Sequence, residues 1–174
     1  MPPINPLSMP LVRQLSPEDT DGYGAMWADA VENHPTFFRS TLSDDPSGRI
    51  PTRFRVDSFT LGAFDGEALI GILSLDRDTR IKLCHKAFIS RMFVKPGCAG
   101  KGVGRLLLRE AVRQAGDVVE LRQLYLTVLD TNNLAKSLYL SEGFEKFSHE
   151  PQAVFIEGHY VDECQMMLIL GGGD

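Results

Sequence analysis

An α/β domain is the fold class this sequence predicts, and three observations carry it. A strand, a glycine-rich loop and a helix run without a break over residues 88–114. A second strand and helix follow over residues 122–141. Between residues 59 and 76, two apolar runs flank Asp65-Gly66, the signal of a tight hairpin.

In chain order, residues 11–15 read as a short first strand. Ser16-Pro17-Glu18 then opens a helix with a capping serine and a proline at its first position. That helix runs to about Glu32, carries Tyr23, Met26 and Trp27 on one side, and is broken by His34-Pro35. A second helical piece is expected over residues 36–42. The hairpin strands span 59–64 and 68–76, a charged loop covers 76–80, and the next strand runs over 85–94. Val103, Leu106, Leu107, Ala111 and Ala115 recur at helical spacing, with Arg105, Arg109 and Arg113 on the opposite face. Leu124, Leu126 and Val128 mark a buried strand, and Asp130 to Asn133 can cap a helix over 134–141 that Gly143 terminates. The expected organisation is a flexible segment at 1–10, one domain over 11–170 and a short tail at 171–174.

With 174 residues, 43% hydrophobic and 24% charged, the chain is long enough to bury roughly two-thirds of its unfolded surface. A formal charge of −5 argues against a nucleic-acid partner and is compatible with a cationic acceptor such as an amine. Cys84, Cys98 and Cys164 form no C-x-x-C pair, which suits a reducing compartment and gives no sign of a metal. The first ten residues are proline-rich without a basic leader, and no apolar run approaches the roughly twenty residues that span a bilayer. The expectation is a cytoplasmic protein without a membrane partner.

The glycine loop carries the chemistry. Gly97, Gly100, Gly102 and Gly104 stand before a helix whose first N–H groups lack partners and carry partial positive charge. Glycine lets those amides approach an anion, and Lys101 and Arg105 add formal charge there, so a phosphate or diphosphate is expected. The simpler alternative is an ordinary strand-to-helix turn. Neither the spacing nor the Lys-Ser/Thr pair of a nucleotide P-loop is present, and Gly100, Gly102 and Gly104 give G-x-G-x-G instead of the dinucleotide fingerprint.

Val94-Lys95-Pro96 followed by Gly100-Lys101-Gly102-Val103-Gly104-Arg105 resembles the acetyl-CoA-binding motif of the GNAT superfamily of N-acetyltransferases. That family's Gln/Arg-x-x-Gly-x-Gly/Ala pattern falls on Ala99, Gly102 and Gly104, with Ala99 in place of the usual polar side chain and offering only its N–H. Asn132-x-x-Ala135-x-x-Leu138-Tyr139, then Gly143-Phe144, is similar to the family's second motif. The stretch from Pro151 to Ile169 looks like the closing hairpin of one branch of the family.

The resemblance implies a GNAT fold, a mixed, mostly antiparallel sheet of six to seven strands with helices on both faces, acting as an acetyl-CoA-dependent N-acetyltransferase on the primary amine of a small molecule or peptide. It implies that the two central parallel strands splay to admit the cofactor, which lies against Met92, Phe93 and Val94, with the N–H of Phe93 polarising the thioester carbonyl. The diphosphate would rest on Ala99, Gly100, Lys101, Gly102, Val103, Gly104 and Arg105. Asn132 would contact the pantetheine or the strand end, its plainer role being a helix cap. Tyr139 would be the general acid, since a phenol of pKa about 10 stays protonated at neutral pH; its plainer role is packing.

The segment after the first helix would cover the acceptor cleft and bring Trp27, Phe37, Phe38 and Arg39 to it, with Ser90 also in reach; packing is the simpler role of each aromatic. No general base is singled out, because Phe88 stands where several family members carry a glutamate; Ser90, Glu32, His85, Asp130 and Glu163 remain open. Cys98, near a helix N-terminus, has no part in a direct transfer. A homodimer is compatible with the resemblance. A non-catalytic acyl-CoA-binding module and a nucleotide-phosphate enzyme are the competing readings.

Overall fold

The seven strands form one sheet in the order β1-β2-β3-β4-β5-β7-β6. They are β1 (Leu11–Gln14), β2 (Ser58–Asp65), β3 (Ala68–Arg77), β4 (Lys86–Val94), β5 (Gln123–Leu129), β6 (Glu145–Ile156) and β7 (His159–Ile169). Every neighbouring pair is antiparallel except β4 and β5. This is a mixed, mostly antiparallel α/β sheet, as the family resemblance implies. The computed structural model describes residues 9–171, so most of the segment at 1–10 and of the tail at 171–174 lies outside the described residues.

The helices α1 (Thr20–Asn33), α2 (Val103–Gly116) and α3 (Asn133–Ser141) cover both faces. On one face Tyr23, Met26, Trp27 and Ala30 of α1 pack with Ile72 and Phe93. On the other, Leu107, Leu108 and Ala111 of α2 and Tyr139 of α3 pack with Leu73, Leu75, Ala87, Ile89, Leu124 and Leu126. Each fully buried leucine contributes roughly 2 kcal/mol of burial free energy, so α2 is held by its apolar stripe and not by helix propensity.

The expected helical piece over 36–42 is absent. Two 3-10 turns, Pro35–Phe37 and Leu42–Asp44, stand at its ends, and Phe38 between them is extended. The reason is tertiary: Phe38 packs edge-on against Trp27, and Arg39 reaches across to Glu163, which a continuous helix would prevent. The entry to α1 also differs in detail, because Pro17–Asp19 forms a 3-10 turn before α1 begins at Thr20. The Asp19 carboxylate accepts the Ser16 N–H at 2.7 Å. Its paired hydrogen bonds with Arg13 hold it well below the usual carboxylate range. β6 starts at Glu145, well before the expected closing hairpin, and turns into β7 at Glu157-Gly158, both with positive φ.

Two irregularities shape the centre of the sheet. β4 and β5 pair only through Lys86↔Gln123, Ala87↔Leu124 and Phe88↔Tyr125, then separate toward their C-terminal ends. Opposite that gap β4 carries a bulge: Ile72 faces Phe93 and Ser74 faces Ser90, so Arg91 and Met92 together oppose Leu73. Arg91 takes φ 51°, a left-handed conformation that costs a residue with a Cβ about 1 kcal/mol or more.

Candidate active site

The glycine loop sits at the open end of that gap. Pro96–Cys98 makes a 3-10 turn, and the loop then passes through Gly100 (φ 75°) and Gly102 (φ 83°), conformations that favour glycine. The N–H groups of Gly100, Lys101, Gly102, Val103, Gly104 and Arg105 meet no hydrogen-bond acceptor among the described residues. They form a row of donors at the positive end of a fourteen-residue helix. One expected donor is absent from this row: the N–H of Ala99 donates to the carbonyls of Lys95 (3.1 Å) and Pro96 (3.2 Å), because it closes the 3-10 turn.

Gly104 has a different task. A Cβ there would lie 3.0 Å from Met92 Cε and 3.4 Å from Leu138 Cδ2, so its absence lets α2 close onto β4 and α3. The flanking cations are tethered. Lys101 Nζ donates to the Gly97 carbonyl at 3.0 Å, and Arg105 pairs with Glu142 at 3.1 Å, as does Arg109 at 2.8 Å. Cys98 is buried beneath the loop.

Along β4, Lys95 N–H donates to the Ile70 carbonyl at 3.0 Å. Antiparallel ladders alternate, so Phe93 and Ile72 form the next hydrogen-bonded pair and Val94 turns its backbone toward the gap beside β5. By that alternation the Phe93 N–H points to β3 and the Val94 N–H to the gap. The Phe93 ring faces α1, where His34 and Phe38 pack on it with centroids at 5.4 and 6.2 Å.

Tyr139 comes from the far face. It is buried, lies tilted against Phe144 with centroids 5.9 Å apart, and donates its hydroxyl to Met92 Sδ at 3.4 Å. Burial pushes its ionisation far above the usual phenol range, so the proton is held throughout the physiological interval. Asn132 accepts the Ala135 N–H at 3.1 Å and thereby caps α3.

On the α1 face, a cavity of about 370 Å³ is lined by Thr52, Asp76, Asp78, Phe88, Ser90, Arg91 and Tyr125, among others. Arg91 holds its wall: its guanidinium donates to Tyr23 Oη (2.9 Å) and Asp45 (2.7 Å) and lies over the Trp27 ring at 4.6 Å. Trp27 is buried beneath Phe38 and Arg91. Phe37 stacks exposed on His34 at 5.6 Å. A larger hollow, about 520 Å³, lies on the other side of α1 between Glu18, Asp29, Glu67 and Lys95. It does not include Tyr139 or the β4–β5 gap.

The open candidates for a base separate clearly. Glu32 is exposed, and Asp130 is held by Lys136 at 3.0 Å. His85 uses its carbonyl to anchor Arg122 and Gln123, and Ser90 lies half-buried in the cavity wall. Glu163 alone among them is buried, with Arg39 as its ion partner at 3.2 Å. Burial lifts its carboxyl above the ordinary glutamate range, with Arg39 opposing the shift. Sequence reasoning had no signal for Arg91, since neither its backbone conformation nor its partners, 46 and 68 residues away, leave a pattern along the chain.

A family model described as acetyltransferase (GNAT) family matches residues 23–144. A spermidine N(1)-acetyltransferase of Vibrio cholerae is 30% identical over 101 residues, 58% of this chain and 57% of that relative, so the match spans little more than half of either protein. A GNAT-family acetyltransferase structure from Streptococcus pneumoniae superposes with a TM-score of 0.80 at 24% identity, covering 94% of this chain and all of the other. A putative acetyltransferase from Salmonella typhimurium, solved with its cofactor acetyl-CoA, gives 0.80 at 19% identity, covering 96% and 97%. At these identities the two superpositions speak for the fold.

Proposed function

The chain belongs to the acetyltransferase (GNAT) family, and from that premise we propose that it transfers the acetyl group of acetyl-CoA to a primary amine in a ternary complex. The observation that carries this reading is the row of unpartnered amides from Gly100 to Arg105 beside a gap between β4 and β5. That row fits a diphosphate, and the gap fits an extended chain laid along the free edge of β4.

Acetyl-CoA supplies an activated acyl carbon on a sulfur leaving group. The residues present divide the remaining work. The amides of residues 100–105 hold the diphosphate, with Lys101 and Arg105 beside them. The backbone of Val94, and of Met92 in the bulge, presents donors and acceptors along the gap and can polarise the acyl carbonyl. Tyr139 keeps its proton until a sulfur of pKa near 8.5 needs it. Its present partner, the Met92 thioether, is itself a soft sulfur acceptor.

The amine arrives from the α1 face, past Phe38, Arg91 and Ser90. An acceptor of the spermidine type suits the Vibrio relative and the chain's net charge of −5. The test is acetyl transfer to a panel of alkylamines that includes spermidine, followed by thiol release, with Tyr139→Phe alongside. Turnover that depends on both acetyl-CoA and Tyr139 is expected. Tight CoA binding with no transfer to any amine would leave a binding module in its place.

A further inference from the structure

We propose that Glu163 is the docking and proton-accepting group for the acceptor, which must be a cationic amine because it takes the place now held by Arg39. This rests on the acetyl-transfer reading and adds to it the residue that receives the substrate's charge.

Register places Glu163 on the α1 face, one strand from the β4–β5 gap. Along β5, Leu124, Leu126 and Val128 point into the α2-side core, as do Cys164 and Met166 opposite them on β7. Glu163, paired with Leu129, therefore faces α1. From the last β4–β5 pair, Phe88↔Tyr125, Leu129 is four residues on, and Phe93 is level with it once the bulge is discounted. Phe93 on β4 and Leu129 on β5 thus flank the open part of the gap, and Glu163 lies one strand beyond Leu129, on the α1 face. The segment 34–39 bridges Phe93 and Glu163: His34 and Phe38 pack on Phe93, and Arg39 ends on Glu163.

The burial of the two partners is unequal. The Glu163 side chain is 2% exposed, whereas Arg39 is 55% exposed. A buried carboxylate stripped of its one cationic partner among the described residues is strongly disfavoured, so Arg39 leaves at low cost only when another cation arrives. An ammonium satisfies that exchange, and a neutral amide or alcohol does not. The other charged group facing Glu163 is Glu150, its cross-strand neighbour on β6; the facing residues of β5, Leu129 and Thr127, are uncharged. Both the burial and Glu150 disfavour the ionised carboxylate, which makes Glu163 a stronger proton acceptor than a surface glutamate.

The protons balance. The ammonium N–H passes its proton to a Glu163 oxygen, leaving a neutral amine with a free electron pair and a neutral carboxyl. The nitrogen–carbon bond forms as the carbon–sulfur bond breaks. Tyr139 protonates the departing sulfur and recovers a proton from the acylated nitrogen through solvent, and Glu163 releases its proton to water.

Spermidine serves as the probe amine for calorimetry in the presence of CoA, and the best acceptor of the amine panel serves for kinetics. Glu163→Gln should weaken spermidine binding at least about tenfold and lower kcat/KM for the amine about 100-fold, with CoA affinity unchanged. It should also abolish the acid limb of the pH profile. Arg39→Ala should do the opposite: a lower KM for the amine and an acid limb displaced to higher pH. Spermidine binding and kcat/KM unaffected in Glu163→Gln, or an equal loss in Arg39→Ala, would overturn the assignment. If Glu163→Gln fails to fold, the direction of the Arg39→Ala change decides it. Absence of CoA binding, or of transfer to every amine in the wild type, would instead remove the acetyl-transfer reading on which this one stands.

Discussion

The Tyr139 hydroxyl donates its hydrogen bond to the sulfur of Met92, 3.4 Å away, joining the helix after β5 to the bulge of β4 across the sheet's central gap. A buried phenol with only a thioether as partner stays protonated and holds its donor weakly. Tyr139→Phe should therefore lower kcat by about 10²- to 10³-fold while leaving the KM for acetyl-CoA within about twofold. Steady-state thiol release measures both, and an unchanged kcat would assign Tyr139 to packing alone.

The same burial makes an alkaline prediction. The folded phenol ionises far above the unfolded value of about 10, so its stabilising contribution is intact below pH 10 and is lost as pH climbs toward the folded value. Urea midpoints should decline from about pH 10 upward in the wild type and decline less in Tyr139→Phe.

Gly102 stands at φ 83° with open space where a Cβ would go. Gly102→Ala meets no clash, so its cost is conformational, about 1 kcal/mol. If the loop has to reshape to accept alanine, the amide row is lost as well. The expected outcome is a CoA dissociation constant raised at least about tenfold, equivalent to roughly 1.4 kcal/mol, with a modest fall in melting temperature.

Asn132 separates capping from ligand contact. Its oxygen is occupied by the Ala135 N–H, so Asn132→Ala should destabilise the fold by about 1 kcal/mol and change CoA affinity less than about threefold. Asn132→Asp should restore the stability. A large loss of affinity at unchanged stability would show the side chain reaching the cofactor instead.

Arg91 ties the bulge to α1 and to the 42–45 turn through Tyr23, Asp45 and the Trp27 ring. Arg91→Ala removes those ties and keeps the left-handed backbone, for an expected loss of about 2 to 3 kcal/mol in a urea titration. Arg91→Lys should recover little of it, because an ammonium cannot serve both partners and stack on the indole.

Much of the fold was legible because its signals are local. Asp65-Gly66 marks the β2–β3 turn, the apolar stripe of Val103, Leu107 and Ala111 marks α2, and Asn132 with Gly143 brackets α3. The glycines of the loop were readable as an anion site for the same reason. What escaped depends on distant partners. Phe38 and Arg39 are extended because Trp27 and Glu163 hold them, and Glu163 lies 124 residues from Arg39. The start of β6 was missed because Glu145, Lys146 and His149 lie on an exposed edge strand with no apolar alternation to announce it. Which backbone donor of β4 faces the gap depends on the parity of the β3–β4 ladder, which the bulge at Arg91 and Met92 sets and no residue type signals.

The central claim is that the amides of residues 100–105 grip the diphosphate of coenzyme A beside the β4–β5 gap. Equilibrium titration with CoA, with pantetheine as the ligand lacking the diphosphate, tests it most directly. The account predicts one CoA bound per chain and pantetheine bound at least about 100-fold more weakly, a loss of roughly 2.7 kcal/mol. No CoA binding, or equal affinity for the two ligands, would contradict it.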